Sequence, residues 1–194
     1  MSHFRFVCAA PFALVLTVAT SAAPVPKHLM PKDDPPFYMT KVGDRHVSLW
    51  QGKDYVCVVT KVEKTADGLV VTEDLEDETG ARRHEQTIVV SEKGLRATFQ
   101  DGKALDPPIW LLKLPHVENN KWTDEWFGST RHYQTVGWEE IEVPAGKIRA
   151  MRVDRDNNGD GKSITTYWYA PGKGCIKWSC GDLSREWKSF TPAK

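Results

Sequence analysis

The chain has 194 residues, with 26 Lys plus Arg against 26 Asp plus Glu, 40% hydrophobic residues, 14 Gly, 12 Pro and 8 Trp. A balanced charge excludes the extended cationic surface that nonspecific nucleic-acid binding requires, so nucleic acid is not an expected partner. The length suits one domain, because a chain near 150 residues buries roughly 70% of its unfolded surface and needs no metal or disulfide scaffold to fold.

The first element is a leader. Met1 to Arg5 precede an apolar run from Phe6 to about Val18, followed by the small residues Ala19-Thr20-Ser21-Ala22-Ala23, the three-part pattern of a secretory signal. The run is shorter than the ~20 apolar residues of a membrane-crossing helix and contains Pro11, so no transmembrane anchor is expected. Cleavage is predicted after Ala22, since cutting after Ala23 would place Pro24 just past the scissile bond. Cys8 lies inside the apolar run without a preceding lipobox, which argues against lipidation. Residues 1–22 are thus read as a signal peptide and the protein as exported, to the periplasm or beyond the cell. The leader holds Arg5 and no acid, which leaves the remainder at about minus one. Pro24, Pro26, Pro31, Pro35 and Pro36, with Lys27, Lys32, Asp33 and Asp34 among them, make residues 23–36 an extended tether, and a single domain is predicted over 37–194.

From Phe37 onward the pattern is period-two alternation broken by turn dipeptides, which predicts an all-β fold. Asp54 to Lys64 is apolar on both faces, as a covered strand is. Asp67-Gly68 turns it into Leu69 to Leu75, Thr79-Gly80 turns the chain again, Gln86 to Val90 leads through Lys93-Gly94 to Leu95 to Phe99, and Asp101-Gly102 closes that pair. Ile109 to Leu114, bounded by Pro107-Pro108 and Pro115, fits either a strand or one short helix. Lys121 to Phe127, Thr130 to Val143, Lys147 to Asp154, Ile164 to Ala170, Cys175 to Cys180 and Leu183 to Phe190 complete ten to twelve strands joined by short loops. An antiparallel meander is expected, forming a curved sheet or half-barrel.

Two segments carry a resemblance. Glu142-Val143-Pro144-Ala145-Gly146-Lys147 through Val153, and Thr166-Tyr167-Trp168-Tyr169-Ala170-Pro171-Gly172-Lys173-Gly174-Cys175-Ile176-Lys177, are similar to paired motifs of the TapB-like group of exported bacterial domains of unknown function. Leu114-Pro115 with Lys121-Trp122 resembles the hairpin that precedes them there. The resemblance covers about the C-terminal half and implies a curved antiparallel sheet, broadly like the half-barrel of lipoprotein carriers, with no catalytic residue to carry over. This chain departs from it in Cys175, where an aliphatic residue is usual, and Lys173, where Val is common. Turn chemistry accounts for every Gly and Pro of both motifs.

Asp156-Asn157-Asn158-Gly159-Asp160-Gly161 matches the first half of a calcium loop, with Asp156, Asn158 and Asp160 as oxygen donors, but Tyr167 stands where a bidentate Glu belongs. A polar hairpin tip is the expected reading. Three cysteines follow the leader. Cys175 and Cys180 on one strand lie about 16 Å apart at ~3.3 Å per residue, too far to bridge without a bend, while Cys57 could join either, and reduced thiols are expected. The histidines show no metal-ligand spacing, no nucleophile motif occurs, and Glu140 with Glu142 reads as a solvated strand face, so neither metal nor cofactor nor catalysis is expected.

The tryptophans are the unusual feature. Most should fill the core, and the remainder would line an apolar cavity or a flat platform for sugar rings. Alternation puts Trp168 with Thr166 and Ala170, and Trp178 with Ile176 and Cys180, so a hairpin closed by the intervening turn would bring both rings to one side of the sheet as ligand-binding candidates, with Tyr169 as a further candidate. Trp122 and Trp126 on one strand face are the alternative sugar platform. The function expected from these readings is a noncatalytic envelope protein that binds an apolar or lipidic ligand, or another envelope component, on a concave sheet face. A carbohydrate-binding module and a structural or interaction protein are the alternatives.

Overall fold

A computed structural model describes residues 36–126 and 128–194, so the predicted leader and nearly all of the tether lie outside the described residues. The alternation resolves into β1 (Arg45–Trp50), β2 (Lys53–Thr65), β3 (Gly68–Glu76), β4 (Arg82–Ser91), β5 (Gly94–Gln100), β6 (Lys103–Lys113), β7 (Lys121–Trp126), β8 (Ser129–Val143), β9 (Gly146–Asp156), β10 (Ile164–Ala170), β11 (Gly174–Cys180) and β12 (Leu183–Thr191). No helix occurs among the described residues, and Ile109 to Leu112 belong to β6, which runs as a strand through Pro107-Pro108.

All twelve strands form one sheet in the order β6-β5-β4-β3-β2-β1-β12-β11-β10-β9-β8-β7. The pairing of β1 with both β2 and β12 bends the meander round on itself, so the sheet is a nearly closed barrel whose two edges, β6 and β7, are neighbours in sequence. Edge strands carry unpaired backbone groups that must be managed. Here the two prolines remove donors from β6, and side chains bridge the seam. The Trp110 N–H donates to Asp124 Oδ2 at 2.9 Å, and Trp122 Nε1–H donates to the Trp110 carbonyl at 3.2 Å.

The inner face follows from the register. Val59, Val71, Ile88, Leu95, Leu112, Val153, Met151 and Ile176 are buried there, while Arg152, Asp154, Lys177 and Glu186 pair on the outer face. Apolar inside and charged outside is the inverse of a lipid-facing barrel wall. The chain before β1 enters one end of the barrel as a plug. Phe37, Tyr38 and Met39 are 7%, 5% and 1% exposed, and the Gly172 N–H holds the plug by donating to the Pro36 carbonyl at 2.6 Å. Gly174 is required beside it, because its φ is +91° and a Cβ would stand 2.9 Å from the Tyr38 ring.

The hairpin of β8 and β9 outruns β10, which pairs with β9 only as far as Met151. Its tip reaches β12 instead, where the Ala145 N–H donates to the Trp187 carbonyl at 3.0 Å. Ala150 and Val143 are buried on the way. A shallow groove of about 650 Å³ is left outside the barrel between the tip, Lys173 and Phe190.

Candidate ligand-binding site at the open end of the barrel

The two ends of the barrel interior differ. Around the plug, the inward residues of β1, β2 and β3 include His46, Cys57 and Glu73, all buried. Glu73 is 0% exposed; its Oε2 accepts from the Tyr38 hydroxyl at 3.0 Å and from Gln86 Nε2. Burial is the largest influence on this carboxyl and raises it above its ordinary value, against the hydrogen bonds of Gln86 and Tyr38. His46 Nδ1 lies 3.4 Å from Glu73 Oε1, yet this is not an ion pair: burial and then the charge of Arg185 push His46 down to about 3. Its ring stacks on Trp187 at 4.5 Å.

Toward the other end, the inward positions continue as Trp50, Tyr55, Trp178, Tyr167, Arg155, Arg131 and Arg185. The register fixes this: Trp50 pairs with Arg185, Arg185 with Trp178, Trp178 with Tyr167, and Tyr167 with the buried Val153, while Arg155 pairs with the buried Tyr133. These residues are half-buried, so this end of the interior meets solvent where the plugged end does not. Trp50 lies 5.3 Å from Tyr55 and 6.4 Å from Trp178, an aromatic wall on β1, β2 and β11. Each arginine stands over a ring: Arg131 over Trp126 at 4.2 Å, Arg155 over Tyr167 at 5.0 Å and Arg185 over Tyr55 at 5.4 Å.

Of the expected ligand-facing residues, Trp178 reaches this wall. Trp168 does not. A bulge lets Tyr167 pair with Trp178, and Trp168 with Lys177, so the two tryptophans face opposite sides of the sheet. Trp168 points outward, where its Nε1–H donates to Glu139 Oε2 at 2.8 Å. Tyr169 is 3% exposed in the core. The sugar platform fails at Trp122, which is 6% exposed and stacked on Tyr133 at 5.2 Å; Trp126 lies under Arg131.

In the acidic hairpin, Asp156 Oδ1 accepts from the N–H groups of Asn158 and Gly159, and its Oδ2 from Gly161. These backbone bonds hold its carboxyl below the ordinary range, Gly161's first. Asp160 Oδ1 accepts from the Lys162 N–H. Those oxygens fasten the loop to itself. Glu140 and Glu142 lie opposite Arg149 and Lys147 across the β8–β9 ladder. Cys57, Cys175 and Cys180 form no disulfide, and burial pushes the Cys57 and Cys175 thiols up to about 12.

The inward arginines carry a signal that sequence reading passes over. Arg131 and Arg155 each stand two residues from a core residue of the same strand, Tyr133 and Val153, and so share the core face by period two.

No protein-family model matches the sequence, and no curated protein is significantly similar to it, so the likeness to the TapB-like group stands on the turn motifs alone. Two solved structures match the fold. A candidate lipoprotein from Parabacteroides distasonis is 12% identical with a TM-score of 0.53, the match covering 82% of this chain and 100% of that one. A candidate exported protein with a YmcC-like fold from Bacteroides fragilis is 14% identical with a TM-score of 0.53, covering 81% of this chain and 99% of that one. At such identities the likeness establishes a shared all-β barrel-like architecture.

Proposed function

We propose that the protein is an exported, noncatalytic component of the bacterial envelope, periplasmic or extracellular, that holds an apolar or lipidic ligand at the open end of its barrel. The observation that carries this reading is the contrast between the two halves of one inner face: sealed by Phe37, Tyr38 and Met39 at one end, and half-buried aromatic at the other around Trp50, Tyr55 and Trp178. Half-buried rings on a concave face leave apolar surface that a ligand can remove from water at ~25 cal/mol per Å². The predicted leader, the TapB-like motifs and the two structural neighbours, themselves described as an exported protein and a lipoprotein, support export.

A tryptophan-emission titration tests this. Acyl probes are expected to shift emission saturably, and Trp178→Ala to weaken that response more than Trp168→Ala, whose ring faces outward. Equal effects of the two substitutions would place any binding elsewhere.

A further inference from the structure

At the open end of the barrel Arg131 and Arg155 have no ion-pair partner among the described residues, whereas Arg185 donates to Cys57 Sγ at 3.3 Å and its charge acts on the buried Glu73 carboxyl. Among the described residues, no carboxylate lies within ion-pair distance of Arg131, Arg155 or Arg185. The neighbouring acids are engaged elsewhere. Asp124, directly opposite Arg131 in the ladder, spends its carboxylate on the Trp110 N–H at the seam. Glu125 accepts from the Thr130 hydroxyl at 2.6 Å. Asp154 faces outward to Arg152 and Thr166, and Asp156 is bound to its own loop.

Arg131 and Arg155 lie on adjacent strands, two residues out of register, and both meet the Tyr133 hydroxyl, so their like charges stand near each other. Arg155 Nη2 donates to Thr165 Oγ1 at 3.3 Å, but its Nε–H is buried with no acceptor. A buried unmade donor is costly, more so on a charged group, and its presence in a folded protein calls for an explanation. Two half-buried arginines side by side without an acid, one with an orphaned donor, are arranged as groups that receive an oxyanion.

We propose that Arg131 and Arg155, with the hydroxyl of Tyr133, form an oxyanion-binding site on the inner face of the barrel. The group bound is a carboxylate or a phosphate. Resting on the ligand reading above, this makes the ligand an amphiphile whose anionic head meets the two arginines while its apolar part lies on the aromatic wall. A small free oxyanion has the same head chemistry, so the test must tell the two sources apart.

Three probes do so: laurate, its uncharged methyl ester and inorganic phosphate, titrated against wild type and the Arg155→Gln and Arg131→Gln variants, with far-ultraviolet circular dichroism confirming each fold. Laurate is expected to bind at least about tenfold tighter than methyl laurate, the advantage of a charge-assisted contact. Either substitution should bring laurate down to the ester's affinity and leave the ester unchanged. Equal affinity of laurate and ester for wild type, or laurate binding untouched by both substitutions, overturns the oxyanion site while leaving the apolar-ligand reading intact. Arginine-dependent binding of phosphate without laurate keeps the site and overturns the amphiphile. If none of the probes binds, both fall. Should Arg155→Gln not fold, Arg131→Gln, nearer the mouth, carries the same comparison.

Discussion

Glu73→Gln is the substitution whose outcome follows most tightly from the packing. The carboxylate is 0% exposed, and its Oε2 is satisfied by Tyr38 and Gln86, while Oε1 has no hydrogen-bond partner and faces His46 Nδ1 at 3.4 Å. His46 is held neutral, so an amide at position 73 keeps the accepting oxygen toward Tyr38 and Gln86 and turns an N–H toward an imidazole nitrogen able to accept it. One orphaned atom becomes a hydrogen bond, worth about 1 kcal/mol, or about 2–4 °C in melting temperature for a domain of this size. The pH dependence adds to this. Glu73 binds its proton more tightly folded than unfolded, so its contribution is fullest below its ordinary value of about 4.5 and is lost as pH rises through the raised folded value. The variant has no such loss. Urea denaturation followed by tryptophan emission at pH 8 should therefore find Glu73→Gln more stable than wild type, with the gap closing as pH falls toward the ordinary carboxyl value of about 4.5, since protonated Glu and Gln are near-isosteres. A variant less stable by more than about 1 kcal/mol at pH 8 would refute the reasoning, because it would mean that ionised Glu73 is favourably paired.

Met39→Ala empties the plug of a side chain 1% exposed and should cost about 2–5 kcal/mol in the same denaturation assay. Asp124→Ala removes the acceptor of the Trp110 N–H at the seam, so hydrogen exchange at that amide should accelerate while the central strands β1 and β12 keep their protection. Asp156→Ala should speed exchange at Asn158, Gly159 and Gly161, and added calcium should not slow exchange in the wild-type loop. Peptide-mapped thiol labelling of the native protein should modify Cys180 first, since Cys57 and Cys175 have thiols pushed up to about 12 and stay protonated at neutral pH.

The strands were legible because alternation and turn chemistry are local. Asp67-Gly68, Lys93-Gly94 and Asp101-Gly102 fall between consecutive strands, where the dipeptides put them. Closure was not legible: the pairing of Arg45–Trp50 with Leu183–Thr191 joins the two ends of the domain, and no local pattern encodes it. β1 itself is masked by inward His46 and Ser48, polar residues that read as surface until the barrel buries them. The candidate site was half legible. Alternation puts Trp178 on the face where the structure has it, but the bulge between Trp168 and Tyr169 shifts the register and sends Trp168 to the other face, an event that strict period-two counting cannot see. Arg131, Arg155 and Glu73 were passed over because charged residues in a strand are read as solvent-facing, and it is the curvature of the sheet that turns them inward.

An anionic amphiphile held at the open end of the barrel is the proposal most open to direct test. Native mass spectrometry of the protein purified from its own host addresses it most directly. A retained adduct of lipidic mass is expected, extracted by organic solvent and lost in both Trp178→Ala and Arg155→Gln proteins, each still folded. An adduct that survives both substitutions, or wild-type protein that emerges ligand-free and fails to take up laurate afterwards, would contradict it.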